Sequence, residues 1–147
     1  AVAFESDDPI TLYSGSPGGH VESGDTIFDL IRYIKPEVRI IGTGWVGSIA
    51  THIYLAADKA NRYALPNTRF LIHQPSGGFG GDAADIEIHA REILKTRERI
   101  NGIIAERTGQ TIDRVGEDTQ RDYWMSAEES VEYGLVGKII NDIGEVG

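Results

Sequence analysis

Residues 38–60 join a strand, a glycine-rich turn, a serine and a helical segment in direct succession. The run 38–43 is rich in β-branched residues and leads through Gly44 and Gly47 to Ser48, ahead of the good helix formers of 54–60. A serine at such a turn lies beside the unpaired N–H groups of a helix N-terminus, where developing negative charge is stabilised. Serine is also among the best helix caps. The turn therefore predicts either a nucleophile or an ordinary cap.

Short apolar strands alternate with helical patterns along the whole chain, which is typical of an α/β fold built from βα units. The predicted strands span residues 10–14, 38–43, 69–74 and 138–140. A tight loop at 16–19 precedes a helix whose apolar residues recur at helical spacing over 27–34. At 147 residues, 40% of them hydrophobic, we expect a single domain, 1–147, with one core.

Composition excludes several classes of function. The chain has no cysteine, so it holds no disulfide and no thiolate metal site, and we predict no metal. A net charge of -9 argues against a nucleic-acid partner, which needs clustered basic residues. No apolar run reaches the roughly 20 residues of a membrane span. We expect no membrane association and a cytoplasmic location.

A long helix is predicted from Asp82 to about Arg107, because that stretch has no proline and only one glycine, Gly102. At 1.5 Å per residue it would be about 40 Å long, more than a domain of this size can cover. We expect its apolar residues to pack against another subunit, although a helix lying across the whole domain is the alternative. A capping-box signature at 126–129 predicts a short helix that ends at Gly134.

Four histidines are candidates for the base that a serine nucleophile requires. His73 ends an apolar strand, where functional side chains gather in parallel sheets, but a histidine bonded to a carbonyl is an equal interpretation. His52 lies four residues after Ser48, yet its side chain would sit one turn behind the cap position. His89 is predicted at the surface, and His20 near the site without a catalytic role. Asp122 is a candidate for a buried orienting acid.

Four stretches together identify a family resemblance. They are residues 16–19, 62–67 with 72–75, 85–94 and 132–136. In these stretches the chain resembles the Clp protease proteolytic subunit (ClpP) family of serine peptidases, and the resemblance extends over 9–141. It implies a ClpP/crotonase-like spiral of repeated ββα units with a protruding handle helix.

The resemblance also implies the roles of individual residues. Ser48 matches the family nucleophile, His73 the general base and Asp122 the acid. The N–H groups of Gly19 and Ile49 match the oxyanion hole. An extended substrate is expected to pair between 19–21 and 76–78; the substrate-binding positions are Gly19, Val21, Ser76 and Gly78.

The expected activity is hydrolysis of unfolded polypeptides through an acyl-enzyme, inside a chamber enclosed by copies of the same chain. The resemblance implies heptameric rings stacked as a tetradecamer, with a AAA+ unfoldase of the Clp family as a partner. ATP would be used by that partner, and no cofactor is expected in this chain. The sequence starts within the family pattern, after the segment that forms the axial pore loop. Docking of the unfoldase is therefore left open.

Residues near the nucleophile depart from the family pattern of small residues, methionine and glycine. The departures are Trp45, Val46, Ile49, Ala50 and His52. They motivate one alternative, a non-catalytic ring subunit that keeps the triad. A second is an acyl-CoA enzyme of the crotonase class, which shares the spiral fold but would need a basic site for the CoA phosphates.

Overall fold

The computed structural model describes residues 6–74 and 81–147. Its strands are β1 (Ile10–Ser16), β2 (Val38–Gly47), β3 (Arg62–Ala64), β4 (Arg69–Ile72), β5 (Tyr123–Ser126) and β6 (Lys138–Ile139). Its helices are α1 (Val21–Tyr33), α2 (Ile49–Tyr54), α3 (Ala83–Thr108), α4 (Ile112–Asp118) and α5 (Ala127–Tyr133), with 3-10 turns at Lys59–Asn61 and Ile143–Glu145. The predicted alternation of strands and helices is confirmed.

Strand β2 organises the sheet, whose order is β5-β4-β2-β3-β6 with β1 paired to β2 as well. The first half of β2 pairs with β3 through residues 40–42, and its last three residues, 45–47, pair with β4. The sheet therefore divides along β2, at the point where Gly44 takes a positive φ of 57°. All pairings are parallel except β4 with β5. This curled α/β sheet agrees with the predicted spiral fold.

A buried arginine joins the helices behind the sheet. Arg62 is 1% exposed, and its guanidinium donates to the carbonyl oxygens of Ala57, Arg107 and Gly134 at 3.0–3.3 Å. Ala57 lies shortly after α2, Arg107 lies in the last turn of α3, and Gly134 directly follows α5. Burial lowers the pKa of Arg62 to about 10. These three bonds offset much of the cost of burying the charge, while Nε has no partner among the described residues. Arg62 therefore links the three elements through its two terminal nitrogens.

The long helix is confirmed as α3. The Asp82 carboxylate caps it by accepting from the Asp85 N–H, and it ends at Gly109, which has the left-handed φ of 81°. Its buried residues all lie in its C-terminal part: Ile100, Asn101 and Ile104. Ile86, Ile88 and Leu94 are 42%, 56% and 54% exposed. The domain therefore covers only one end of α3, and the alternative of a helix lying fully across the domain is wrong.

Several boundaries differ from the sequence prediction. The helix after Ser48 ends at Tyr54 and does not run through 54–60. Helix α1 begins at Val21, one turn or more before the apolar pattern of 27–34. Strands β3 and β5 and helix α4 were not predicted, because each spans at most seven residues and carries little periodicity. The capping box at Ser126 opens α5 as predicted.

Candidate active site

Ser48 occupies a strained turn between β2 and α2. Its φ of 57° makes it the only non-glycine residue with a positive φ in the described ranges. Its hydroxyl makes no capping hydrogen bond, so helix capping does not account for this serine. Such backbone strain persists only where the surroundings enforce it, and it occurs often at functional sites. The turn therefore favours the nucleophile interpretation.

Contacts with β4 hold the Ser48 turn in place. The Ser48 N–H donates to the carbonyl of Leu71 at 3.0 Å. The hydroxyl of Thr51, which is 1% exposed, lies 3.2 Å from the Val46 carbonyl and 3.0 Å from that of Leu71. The start of α2 is thus bonded to both β2 and β4. Because Leu71 is two residues before His73, the same contacts relate the serine to the histidine.

Gly18 lies directly against Ser48. A Cβ at this glycine would lie 2.6 Å from the Ser48 Cβ and 3.1 Å from its Oγ, and its φ is 109°. Only glycine fits both the space and the backbone conformation. The loop that follows β1 therefore packs against the serine through Gly18, and Gly19 is the next residue of that loop.

The two backbone N–H groups predicted to form an oxyanion hole belong to residues that adjoin the Ser48 turn in sequence or through Gly18. Ile49 is the first residue of α2, so its N–H has no acceptor within the helix. Around Gly19, no heavy atom outside its chain neighbours lies within 4 Å of where a Cβ would be. The space on the Cβ side of Gly19 is therefore open.

His73 immediately follows β4 and is half-buried. Its Nδ1 lies 2.7 Å from the carbonyl oxygen of Gln74. A carbonyl only accepts, so Nδ1 carries the proton and Nε2 carries the lone pair that a general base needs. The interpretation of His73 as a histidine bonded to a carbonyl is thus correct for its contact, and this contact favours the tautomer that a general base needs.

Ser48 and His73 line one small cavity. The third polar side chain in its wall is His52, and the rest of the wall is aliphatic: Val21, Ile49, Ile72, Ile100 and Ile104. No hydrogen bond joins the Ser48 hydroxyl to the His73 ring between residues that the structure describes. The fold nevertheless brings these two predicted residues to the same cavity.

Asp122 is exposed, so the expectation of a buried acid is wrong. It directly precedes β5, at the edge of the sheet, and its side chain is exposed in the part of the chain that the structure describes. The ladder between β4 and β5 ends with Ile72 opposite Tyr123, and one further step in that register places His73 opposite Asp122. No described contact joins the two side chains, because the ring bonds to Gln74 instead.

The remaining predicted positions are the substrate-binding residues and the two other candidate histidines. Val21 is the first residue of α1 and lines the cavity, whereas Ser76 and Gly78 lie outside the described residues. His20 caps α1, since its Nδ1 accepts from the Ser23 N–H at 3.3 Å. His89 is exposed on α3, as predicted.

His52 is the site residue whose environment the sequence did not indicate. It is 2% exposed and stacks on Phe28 with ring centroids 4.5 Å apart. Its Nε2 lies 3.2 Å from Asp25, which Arg99 holds through two bonds of 2.8 Å. Burial lowers the pKa of His52, against the opposing effect of the Asp25 carboxylate. The sequence signal that could have placed His52 near the site is its position four residues after Ser48.

Within residues 6–74 and 81–147, no cluster of three or more histidine or acidic side chains could hold a metal ion. In the same ranges, no helix combines the length and the apolar character needed to cross a bilayer.

The comparisons agree on one family. The Clp protease family model matches residues 2–142. "ATP-dependent Clp protease proteolytic subunit 3" of Rhizobium meliloti is 58% identical, over 99% of this chain and 75% of the relative. Subunit 2 of Pseudomonas aeruginosa is 62% identical, over 95% of this chain and 69% of the relative. The solved structure "ClpP1 N165D mutant from Listeria monocytogenes" aligns with a TM-score of 0.91 at 52% identity, covering 97% of this chain and 80% of that one.

Proposed function

Because the chain belongs to the Clp protease family, we propose that this Clp-type serine peptidase cleaves peptide bonds with Ser48 as nucleophile, His73 as base and Asp122 as orienting acid. One observation carries the proposal: a strained serine turn and a histidine line the same cavity. A serine hydroxyl is a weak nucleophile until an adjacent base accepts its proton. His73 has the lone pair on Nε2 that this role requires.

The geometry supports a two-step hydrolysis. The Ser48 oxygen attacks the substrate carbonyl while His73 takes the hydroxyl proton, and the N–H groups of Gly19 and Ile49 stabilise the oxyanion. The bond to the amine then breaks as His73 returns the proton to the leaving nitrogen. Water attacks the acyl-enzyme with His73 again as base, which releases the acid and restores the serine.

Asp122 completes this scheme by a small side-chain movement. In the ground state the His73 Nδ1–H donates to the Gln74 carbonyl, a neutral acceptor. Asp122 lies at the next register position across β5, so rotation of the ring can exchange the carbonyl for a carboxylate. A carboxylate stabilises the imidazolium that forms during the reaction more strongly than a neutral carbonyl does.

The substrate is proposed to be an extended, unfolded polypeptide. Its backbone would pair with the segments 19–21 and 76–78, at the positions Gly19, Val21, Ser76 and Gly78. The His20 carbonyl already accepts from the Gly24 N–H at 3.1 Å, and α1 begins at Val21, so this segment offers a substrate the backbone of Gly19 and unpaired N–H groups at the start of the helix. Pairing through main-chain groups gives affinity with little dependence on substrate sequence.

We propose that copies of the chain form two stacked heptameric rings through the exposed part of α3. The apolar side chains there, Ile86, Ile88 and Leu94, have no cover in the domain. The native mass should be that of a tetradecamer, and Leu94→Asp should reduce it to that of a single ring.

The relatives are named ATP-dependent, which favours an ATP-using AAA+ unfoldase as a partner in the cytoplasm. ATP-driven degradation of a folded protein by the mixture would test this partner.

Labelling with a fluorophosphonate, followed by peptide mapping, tests the proposed catalytic role. We expect an adduct on Ser48, together with hydrolysis of a fluorogenic peptide by the same preparation. An assembly that neither labels nor hydrolyses would instead be a non-catalytic ring subunit. The comparisons do not favour the acyl-CoA alternative, and tight binding of CoA in calorimetry would contradict our proposal.

A further inference from the structure

His52 gives the cavity beside Ser48 a polar wall that the peptidase scheme does not use. Apart from Ser48 and His73, the other lining side chains are aliphatic. Because Ile49 also lines the cavity and carries an oxyanion N–H, its occupant would be the side chain of the residue whose carbonyl is attacked. The chemistry of His52 therefore bears on which residue precedes the cleaved bond.

Three neighbours fix the imidazole in one orientation. Phe28 stacks against its face, with an interplanar angle of 14°. Asp25 lies 3.2 Å from Nε2, at an angle short of hydrogen-bond geometry, and Arg99 holds that carboxylate through both of its oxygens. The ring is therefore positioned from α1 and α3 as well as from its own helix.

The Asp25 carboxylate determines the tautomer of this ring. An ionised carboxylate only accepts, so it favours the proton on Nε2 and leaves the lone pair on Nδ1. Nδ1 is fully buried and has no hydrogen-bond partner in the part of the chain that the structure describes. Buried polar atoms are normally paired, so an unpaired acceptor on a side chain that lines a cavity points to a donor supplied by a ligand.

We propose that His52 makes this cavity select a substrate residue whose side chain carries a hydrogen-bond donor, such as the amide of asparagine. The inference rests on the proposed function and deepens it. A leucine side chain of similar size would leave Nδ1 unpaired in a closed site. An aspartate side chain would bring acceptor against acceptor. Each substitution in the substrate should lower kcat/KM by about 5- to 20-fold, the range for one unmade buried hydrogen bond.

The experiment uses three fluorogenic peptides that differ only in the residue before the cleaved bond: asparagine, leucine or aspartate. For the unmodified chain we expect kcat/KM to be highest with asparagine. His52→Phe keeps a ring of similar shape against Phe28 but removes the acceptor. It should change the asparagine-to-leucine ratio by about tenfold in favour of leucine. His89→Phe makes the same chemical change outside the cavity, in the part of α3 proposed for ring stacking. Its native mass is therefore measured as well, and the asparagine-to-leucine ratio should be unaltered whether or not the assembly changes.

Asp25→Asn is a second variant that keeps the imidazole and removes the carboxylate that selects its tautomer. It should reduce the asparagine-to-aspartate ratio, and it tests the proposal even where His52→Phe does not fold. Fluorophosphonate labelling of Ser48 is measured for every variant. Normal labelling with unchanged ratios would overturn this inference alone, as would a preference of the unmodified chain for aspartate. Loss of both labelling and hydrolysis in the unmodified chain would overturn the proposed function as well.

Discussion

The two halves of the candidate active site are built differently. The nucleophile half, the turn from β2 into α2, is enclosed: Ser48 is bonded to β4 through its N–H, and Thr51 behind it is 1% exposed. The acid half, at the edge where β4 meets β5, is open. There Asp122 is exposed, and the His73 ring bonds to a neighbouring carbonyl instead.

This difference shows which part of the chemistry is intrinsic to one domain. Strain at Ser48 and the close approach of Gly18 depend only on contacts inside the chain. The link between His73 and Asp122 depends on a side-chain rotation at the sheet edge, where little packing opposes it. We therefore expect the nucleophile to be preformed and the acid to engage in the working assembly.

The largest effect should come from Ser48→Ala, which removes the attacking oxygen and should lower kcat by about 10⁴- to 10⁶-fold. Peptide hydrolysis and the native mass should be measured together, because the assembly should be unchanged. Ser6→Ala, in the loop before β1, is the matched control. Activity of the Ser48 variant within tenfold of the unmodified chain would show that the enclosed half is not the catalytic one.

Asp122→Asn tests the open half. If the acid engages His73 during turnover, loss of its charge should lower kcat by about 10³- to 10⁴-fold with little change in KM. Asp113→Asn, at an exposed position in α4, should be silent. A loss smaller than tenfold would mean that the Gln74 carbonyl orients the base throughout the reaction, and the open arrangement would then be the active one.

Gly18→Ala tests the enclosure of Ser48 without changing any catalytic group. The added Cβ would lie 2.6 Å from the Ser48 Cβ, at a φ of 109° that disfavours alanine. We expect the serine to shift and kcat/KM to fall by about 100-fold, the usual cost of a misplacement near 1 Å. Gly102→Ala, where the new Cβ meets open space, should retain activity. Full activity in the Gly18 variant would show that the turn tolerates displacement.

The enclosed half could be predicted from sequence because its signals are local. A strand, two glycines, a serine and a helix follow one another between 38 and 54, so adjacent residues determine the turn. The position of His73 after β4 was visible for the same reason. The strain at Ser48 was not, since it depends on the bond to Leu71 and on Gly18 from another loop.

The open half and the cavity wall required contacts between distant segments. Asp122 was expected to be buried because apolar residues follow it, yet its burial depends on where the β4–β5 ladder ends. His52 is buried by Phe28 from α1 and is held through Asp25 and Arg99, which come from different helices. Periodicity within α2 contains no information about these partners.

The smallest effect concerns the pH dependence of stability in the enclosed half. Burial lowers the pKa of His52 below its ordinary 6.5, and repulsion from Arg99 assists, while attraction to Asp25 and Asp29 opposes the shift. Below pH 6.5 the unfolded chain therefore binds a proton at this position more readily than the folded one, and stability falls as the pH drops. One group contributes a slope of at most about 1.4 kcal/mol per pH unit.

Urea unfolding between pH 5 and 7.5, at fixed protein concentration, should give a shallower slope of unfolding free energy against pH for His52→Phe than for His89→Phe. Equal slopes would mean that His52 gains its proton equally well in both states, and that the enclosed half is more accessible to water than its contacts indicate.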